Sequence, residues 1–210
     1  MIKLSLLSVF VPTFLMVSLT PGLCMTLAMV LGMTQGVRRA LWMMLGELAG
    51  VGVVAIAAGA GMAAVMLRYP DFFTLFKWVG GAYLVYLGLM MWRSRGRMAI
   101  PDMNASGNLG RQASRSTLAM QGFVTAIANP KGWAFFIALL PPFLDTSRPL
   151  ALQLAVLVAI ILTIEFGALL VYATGGQALR HVLGKSRNVR LLNRIAGSMM
   201  VGVGLWLAIG

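Results

Sequence analysis

Long apolar runs separated by short polar clusters dominate this chain, and six of them are long enough to cross a bilayer. They are Leu4–Met33, Leu41–Leu67, Phe72–Trp92, Leu118–Leu144, Leu150–Thr174 and Leu191–Ile209. A helix needs about 20 residues to cross about 30 Å of hydrocarbon. The third and sixth runs read as plain single spans. The first and fourth are longer, and each carries a proline near its middle, in Thr20-Pro21-Gly22 and in Asn129-Pro130. A soluble helical bundle would need polar stripes at helical spacing, and Val51–Met66 has none. The pattern predicts an all-α, polytopic membrane protein with six transmembrane helices, of which helices 1 and 4 are broken.

Each broken run opens a group of three, and three crossings leave the second group upside down relative to the first. The expected organisation is therefore a 3+3 inverted repeat, as in many secondary transporters. Residues 1–96 form the first repeat, 97–117 a basic cytoplasmic loop, and 118–210 the second repeat.

Composition supports the membrane reading. Apolar residues make up 60% of the 210 and charged residues 10%, against roughly 45–50% and about 25% in soluble domains. Mean hydropathy is +0.88. Disorder is excluded. So is a disulfide scaffold, because Cys24 is the only cysteine.

The net charge of +12 would suggest nucleic acid in a soluble protein, but its placement gives another answer. Arg38 and Arg39 follow the first run. Arg93, Arg95, Arg97, Arg111 and Arg115 follow the third. Arg180, Lys185, Arg187, Arg190 and Arg194 follow the fifth. Those twelve lie on one side, against Lys3, Arg68, Lys77 and Arg148 on the other. The positive-inside rule places the three basic loops in the cytoplasm and both termini outside. Anionic lipid, not nucleic acid, is the partner this charge implies. The run after Lys3 is too long for a signal peptide and no cleavage motif follows it, so retention is expected.

Few residues inside the runs carry chemistry. Pro21 and Pro130 lack a backbone donor, so each frees a carbonyl in the membrane interior. Pro21 and Gly22 could expose backbone groups to a zwitterion, or make a kink repaired by neighbours. In Asn129-Pro130-Lys131, a mid-span lysine is costly unless paired or wet. Lys131 suits a substrate carboxylate, or an interhelical pair with Glu47 or Glu165. Those two are the only acids within the runs. Either could bind an ammonium group or carry a coupling proton.

Gly46 and Gly50 beside Glu47 make a small-residue step for close helix approach, as do the glycines around Tyr83 and Tyr86. The two tyrosines read as packing, and Phe72, Phe73 and Trp92 as interface anchors. The sixteen methionines give adaptable packing. Cys24 reads as packing and His181 as a surface residue in a basic loop. The sequence offers no metal cluster, no cofactor motif, no Walker loop and no catalytic dyad, so an enzyme is not expected.

Several segments together resemble the LysE/RhtB family of amino-acid exporters along nearly the whole chain. They are Ser18-Leu19-Thr20-Pro21-Gly22, Gly36 with the Gly46 region, Lys77 through Gly88, Gly122 through Lys131, Phe135-Phe136, Leu140 through Phe143, and Leu192 through Gly197. The chain departs from the family's P-G-P at Leu23. The resemblance implies an inner-membrane efflux carrier for amino acids such as threonine, homoserine, leucine or lysine, driven by the proton gradient. It also implies functional roles for Glu47 and for Asn129, Pro130 and Lys131. It hints at homo-oligomers, which the glycine steps permit. The rival expectations are a carrier of another metabolite or cation, and a membrane assembly factor without transport.

Overall fold

The computed structural model describes residues 4–93, 113–145 and 147–209. Within them the chain is helical, with no strand. Eight α-helices follow in order: α1 (Leu4–Leu19), α2 (Leu23–Gln35), α3 (Val37–Arg68), α4 (Pro70–Arg93), α5 (Arg115–Ile127), α6 (Pro130–Leu139), α7 (Leu150–Gly184) and α8 (Ser186–Ile209). A single 3-10 turn, Pro141–Phe143, follows α6. Val37–Val65 and Leu150–Gly176 are each long and apolar enough to cross a membrane. Leu7–Leu19 with Leu23–Gln35 qualifies as one span bent by 56°.

The breaks form where the sequence removes a donor. Pro21 cannot donate to Val17, so the Thr20 amide bonds the Val17 carbonyl at 3.2 Å and tightens the last turn of α1. The chain restarts from Gly22, extended at φ −120° and without a side-chain cap. At the second break the Asn129 amide bonds the Ala126 carbonyl at 3.2 Å. Pro130 then opens α6, at the helix position where its missing N–H costs nothing. Gly36, at φ +81°, turns α2 into α3 within one residue, a conformation that side chains resist.

Packing crosses between the two halves of the chain. The pair α1/α2 lies along α7, and the pair α5/α6 lies along α3. Both run parallel to the long helix they follow. Gly46 meets Ala119, and Gly50 meets Phe123 and Ala126. Ser18 reaches Glu165, Leu19 reaches Tyr172, and Gly32 meets Ala173. Helices α4 and α8 pack antiparallel through Gly88 on Gly197 and Gly204 on Gly81. Interfaces this close use small residues because association in lipid rests on van der Waals contact.

Two apolar clusters result. One is rich in aromatic rings, with Phe10, Phe14, Phe135, Phe136 and Phe143 among its members. The other holds Met25, Met29, Met43, Met44 and Tyr172, in line with the packing role expected of methionine.

The structure refines several boundaries. Helix α5 begins at Arg115, inside the segment assigned to the basic loop, and residues 97–112 of that loop lie outside the described residues. Helix α7 runs on past Thr174 to Gly184, bending at Gly176 (φ 39°). His181 is therefore an exposed residue of a helix and not of a loop. Tyr83 and Tyr86 lie with exposed rings 6.2 Å apart, outside the cavity wall. Trp92 is half exposed and donates to Ser198 Oγ at 3.0 Å, with the Arg194 guanidinium over its ring. The side chains of Phe72, Phe73 and Lys77 lie outside the described residues.

Candidate functional site

A cavity of about 360 Å³ lies where the two breaks and the two clusters meet. One wall comes from the first break: Ser18, Thr20, Pro21, Gly22 and the opening turn of α2, including Cys24. The facing wall comes from the second break, with Ala126, Asn129 and Gly132. Helix α3 contributes Glu47, Val51 and Val54, and α7 contributes Glu165. Phe14, Phe135 and Phe136 form an aromatic side.

Of the residues expected at the site, Pro21, Gly22, Glu47, Asn129 and Glu165 line this cavity. Pro130 and Lys131 occupy the first turn of α6 between Asn129 and Gly132. Their side chains lie outside the described residues.

The two acids sit in different surroundings. Glu165 is partly exposed, and its Oε2 accepts a 2.6 Å hydrogen bond from Ser18 Oγ. Glu47 is 1% exposed, and both its carboxylate oxygens are enclosed with no hydrogen-bond partner among the described residues. Cys24 and Glu165 are the groups close enough to act on it electrostatically. Against these acids, the amino ends of α2 and α6 both open on the cavity. Helix amino ends carry unsatisfied N–H groups and partial positive charge. The cavity thus offers a carboxylate partner for an ammonium group, amide donors for a carboxylate, and an apolar side for a hydrocarbon.

Both breaks are braced by aromatic donors. Tyr172, 2% exposed on α7, donates its hydroxyl to the Leu19 carbonyl at 2.8 Å. Trp133 donates its indole N–H to the Ile127 carbonyl at 2.9 Å. Each takes the last carbonyl of a broken helix, which has no amide ahead of it. Beside Glu47, α5 comes so close that a Cβ at Gly122 would collide with the Met43 carbonyl and the Glu47 amide nitrogen.

A family model for LysE type translocators matches residues 15–210. The chain belongs to this family. It is 28% identical over 196 residues to the homoserine/homoserine lactone efflux protein of Salmonella typhimurium, covering 93% of this chain and 92% of that one. It is 26% identical over 195 residues to the leucine efflux protein of Enterobacter sp. (strain 638), covering 90% and 89%. An uncharacterized membrane protein of Vibrio cholerae is 29% identical over 196 residues, covering 93% of each. No solved structure matches. The resemblance read from the sequence is thus correct, and this translocator is a membrane protein.

Sequence reasoning missed three residues at the cavity and its helix breaks as contributors in their own right. Ser18 appeared only within a motif, although a hydroxyl one turn before a proline break in an apolar run is a usable signal. Tyr172 lies seven residues after Glu165, two turns along the same face of α7. Trp133 had no signal beyond its position in the turn after Pro130.

Proposed function

We propose that this protein is a secondary active exporter of a small amino acid, driven by proton entry, and that the cavity is its binding site. The observation that carries the reading is that one cavity gathers both helix breaks and both acids of the apolar runs. An amino acid has a cationic, an anionic and an apolar part. The cavity has a matching surface for each.

In this reading all six apolar runs span the bilayer, as a 3+3 inverted repeat of residues 1–96 and 118–210. The reciprocal packing of each broken pair along the other half's long helix is what such a repeat would produce. Both termini lie outside and the basic loops face the cytoplasm of the inner membrane. The substrate's carboxylate binds backbone groups in the first turns of α2 and α6, beside Pro21, Gly22, Asn129 and Pro130, together with Lys131. Its ammonium group binds the Glu47–Glu165 pair, which also handles the coupling proton. The named efflux activities of the Salmonella and Enterobacter relatives favour homoserine-like or leucine-like substrates. An apolar cavity side formed by Phe14, Val51, Val54 and Phe135 suits the leucine type.

The test is efflux of a panel of labelled amino acids from cells making the wild type or Lys131→Ala. Selective efflux that is lost in the variant supports the reading. No efflux of any amino acid, with the wild type present in the membrane, transfers it to another solute or to an assembly role.

A further inference from the structure

We infer that the two carboxyl groups divide the work: Glu165 holds the substrate's ammonium group, and Glu47 carries the coupling proton. This assignment rests on the exporter reading and gives each acid of that site one role.

The division follows from what can reach each group. Glu165 opens on the cavity and is held by Ser18 at 2.6 Å, so a bound cation meets an oriented carboxylate. Glu47 faces the same cavity, yet neither oxygen has exposed surface, and the polar groups beside it are the Cys24 thiol and the Glu165 carboxyl. An ammonium group needs several ångströms of free space and acceptors for its N–H groups. A proton needs neither. A buried carboxylate beside a second carboxyl is costly in a low-dielectric interior, and a carboxylic acid is far less so. The enclosure of Glu47 therefore suits its acid form.

Among the described side chains, those that act on Glu47 include no cation. Helix α2 presents Cys24 and α7 presents Glu165. Helix α5 presents Gly122 and Ala126, which have no charge. Helix α6 contributes Lys131, whose side chain lies outside the described residues.

The cycle balances as an exchange of one proton for one substrate. From the cytoplasm, the ammonium group binds Glu165. Its positive charge beside Glu47 favours loss of the Glu47 proton, so the O–H bond breaks and the proton passes to cytoplasmic water. After the switch the substrate leaves outward. Glu47 then takes a proton from the outer water, the O–H bond re-forms, and the carrier returns with Glu47 neutral. Ser18 is a positioning residue in this scheme.

The experiment compares wild type, Glu47→Gln, Glu165→Gln and Ser18→Ala in proteoliposomes, with labelled leucine or homoserine, whichever the wild type exports. Counterflow without a gradient reads substrate binding and movement. Accumulation against an imposed pH gradient reads coupling. Glu47→Gln is expected to retain counterflow and lose gradient-driven accumulation. Glu165→Gln is expected to lose both. Ser18→Ala is expected to keep coupling while its half-saturation concentration rises about tenfold, the effect of one hydrogen bond to a charged group.

If Glu47→Gln does not fold, Glu47→Asp replaces it. It should move the pH profile of accumulation and leave the half-saturation concentration of counterflow unchanged. The assignment is overturned if Glu47→Gln loses counterflow as fully as Glu165→Gln, if it still accumulates substrate, or if Glu47→Asp shifts half-saturation and leaves the pH profile alone. A wild type with no counterflow of any amino acid overturns the exporter reading, and the assignment falls with it.

Discussion

Adding one methyl group at Gly122 tests the interface that positions Glu47. A Cβ there would lie 2.8 Å from the Glu47 nitrogen and nearer still to the Met43 carbonyl oxygen. Backbone atoms cannot rotate away, so α5 must retreat from α3 by about 1 Å, and overpacking of this kind costs about 1–3 kcal/mol. Gly61, on α3, is the control, because a Cβ there meets nothing within 4 Å. Both substitutions to alanine gain the same helix propensity, up to about 1 kcal/mol, so their difference isolates the packing term. Gly122→Ala should therefore be less stable than Gly61→Ala by about 1–3 kcal/mol, a factor of roughly 5 to 150 in the folding equilibrium. Reversible unfolding in detergent micelles measures this directly. Efflux should fall in Gly122→Ala and persist in Gly61→Ala. Equal stability of the two variants would refute the close α3–α5 contact and with it the placement of Glu47.

Three further outcomes follow from the same geometry. Tyr172→Phe strands the Leu19 carbonyl at the first break and should cost about 1 kcal/mol, within the range for interhelical hydrogen bonds in membranes; micelle unfolding reads it, and an unchanged midpoint removes Tyr172 as the brace. Val54→Trp fills the cavity from α3 and should reduce efflux at least about tenfold while the protein still reaches the membrane; undiminished efflux would mean that the substrate passes elsewhere. Cys24, the only thiol, lines the cavity, so the transported amino acid should slow its labelling by N-ethylmaleimide, and labelling indifferent to saturating substrate would take Cys24 out of the binding region.

Much of this was legible in the sequence because the chemistry is sparse. Two acids in otherwise apolar runs stand out, and so do two prolines that remove backbone donors. Both acids and Pro21 line the cavity, and Pro130 opens the helix that follows the lining residue Asn129. The small-residue step at Gly46 and Gly50 was readable as an interface, but its partner was not. Nothing local says that these glycines face α5 and not a neighbour in sequence. The bracing roles of Tyr172 and Trp133 were illegible for a related reason. Each acts on a carbonyl of another helix, and a carbonyl leaves no mark in the sequence. The unequal enclosure of Glu47 and Glu165 was also hidden. It depends on how closely Gly122 lets α5 approach α3, which is a property of packing and not of spacing.

The two kinds of contact around the cavity suit a carrier that must open on alternate sides. Helix α5 is held to α3, and α2 to α7, by glycine against backbone. Such contacts tolerate little sliding, since any shift brings a side chain against the facing chain. Helices α1 and α6 meet instead through aromatic rings: Phe14 lies 5.9 Å from Phe135 and 6.1 Å from Phe136, centroid to centroid. Ring contacts of this kind have several offset and tilted arrangements of similar energy. In the exporter reading, movement therefore falls between α1 and α6, while α3 with α5 and α2 with α7 move as two bodies. Glu47 belongs to the first body and Glu165 to the second, so the switch that opens the cavity also changes the distance between the carboxyl groups. A proton on Glu47 and an ammonium group on Glu165 would then each bias that switch through the same pair of charges.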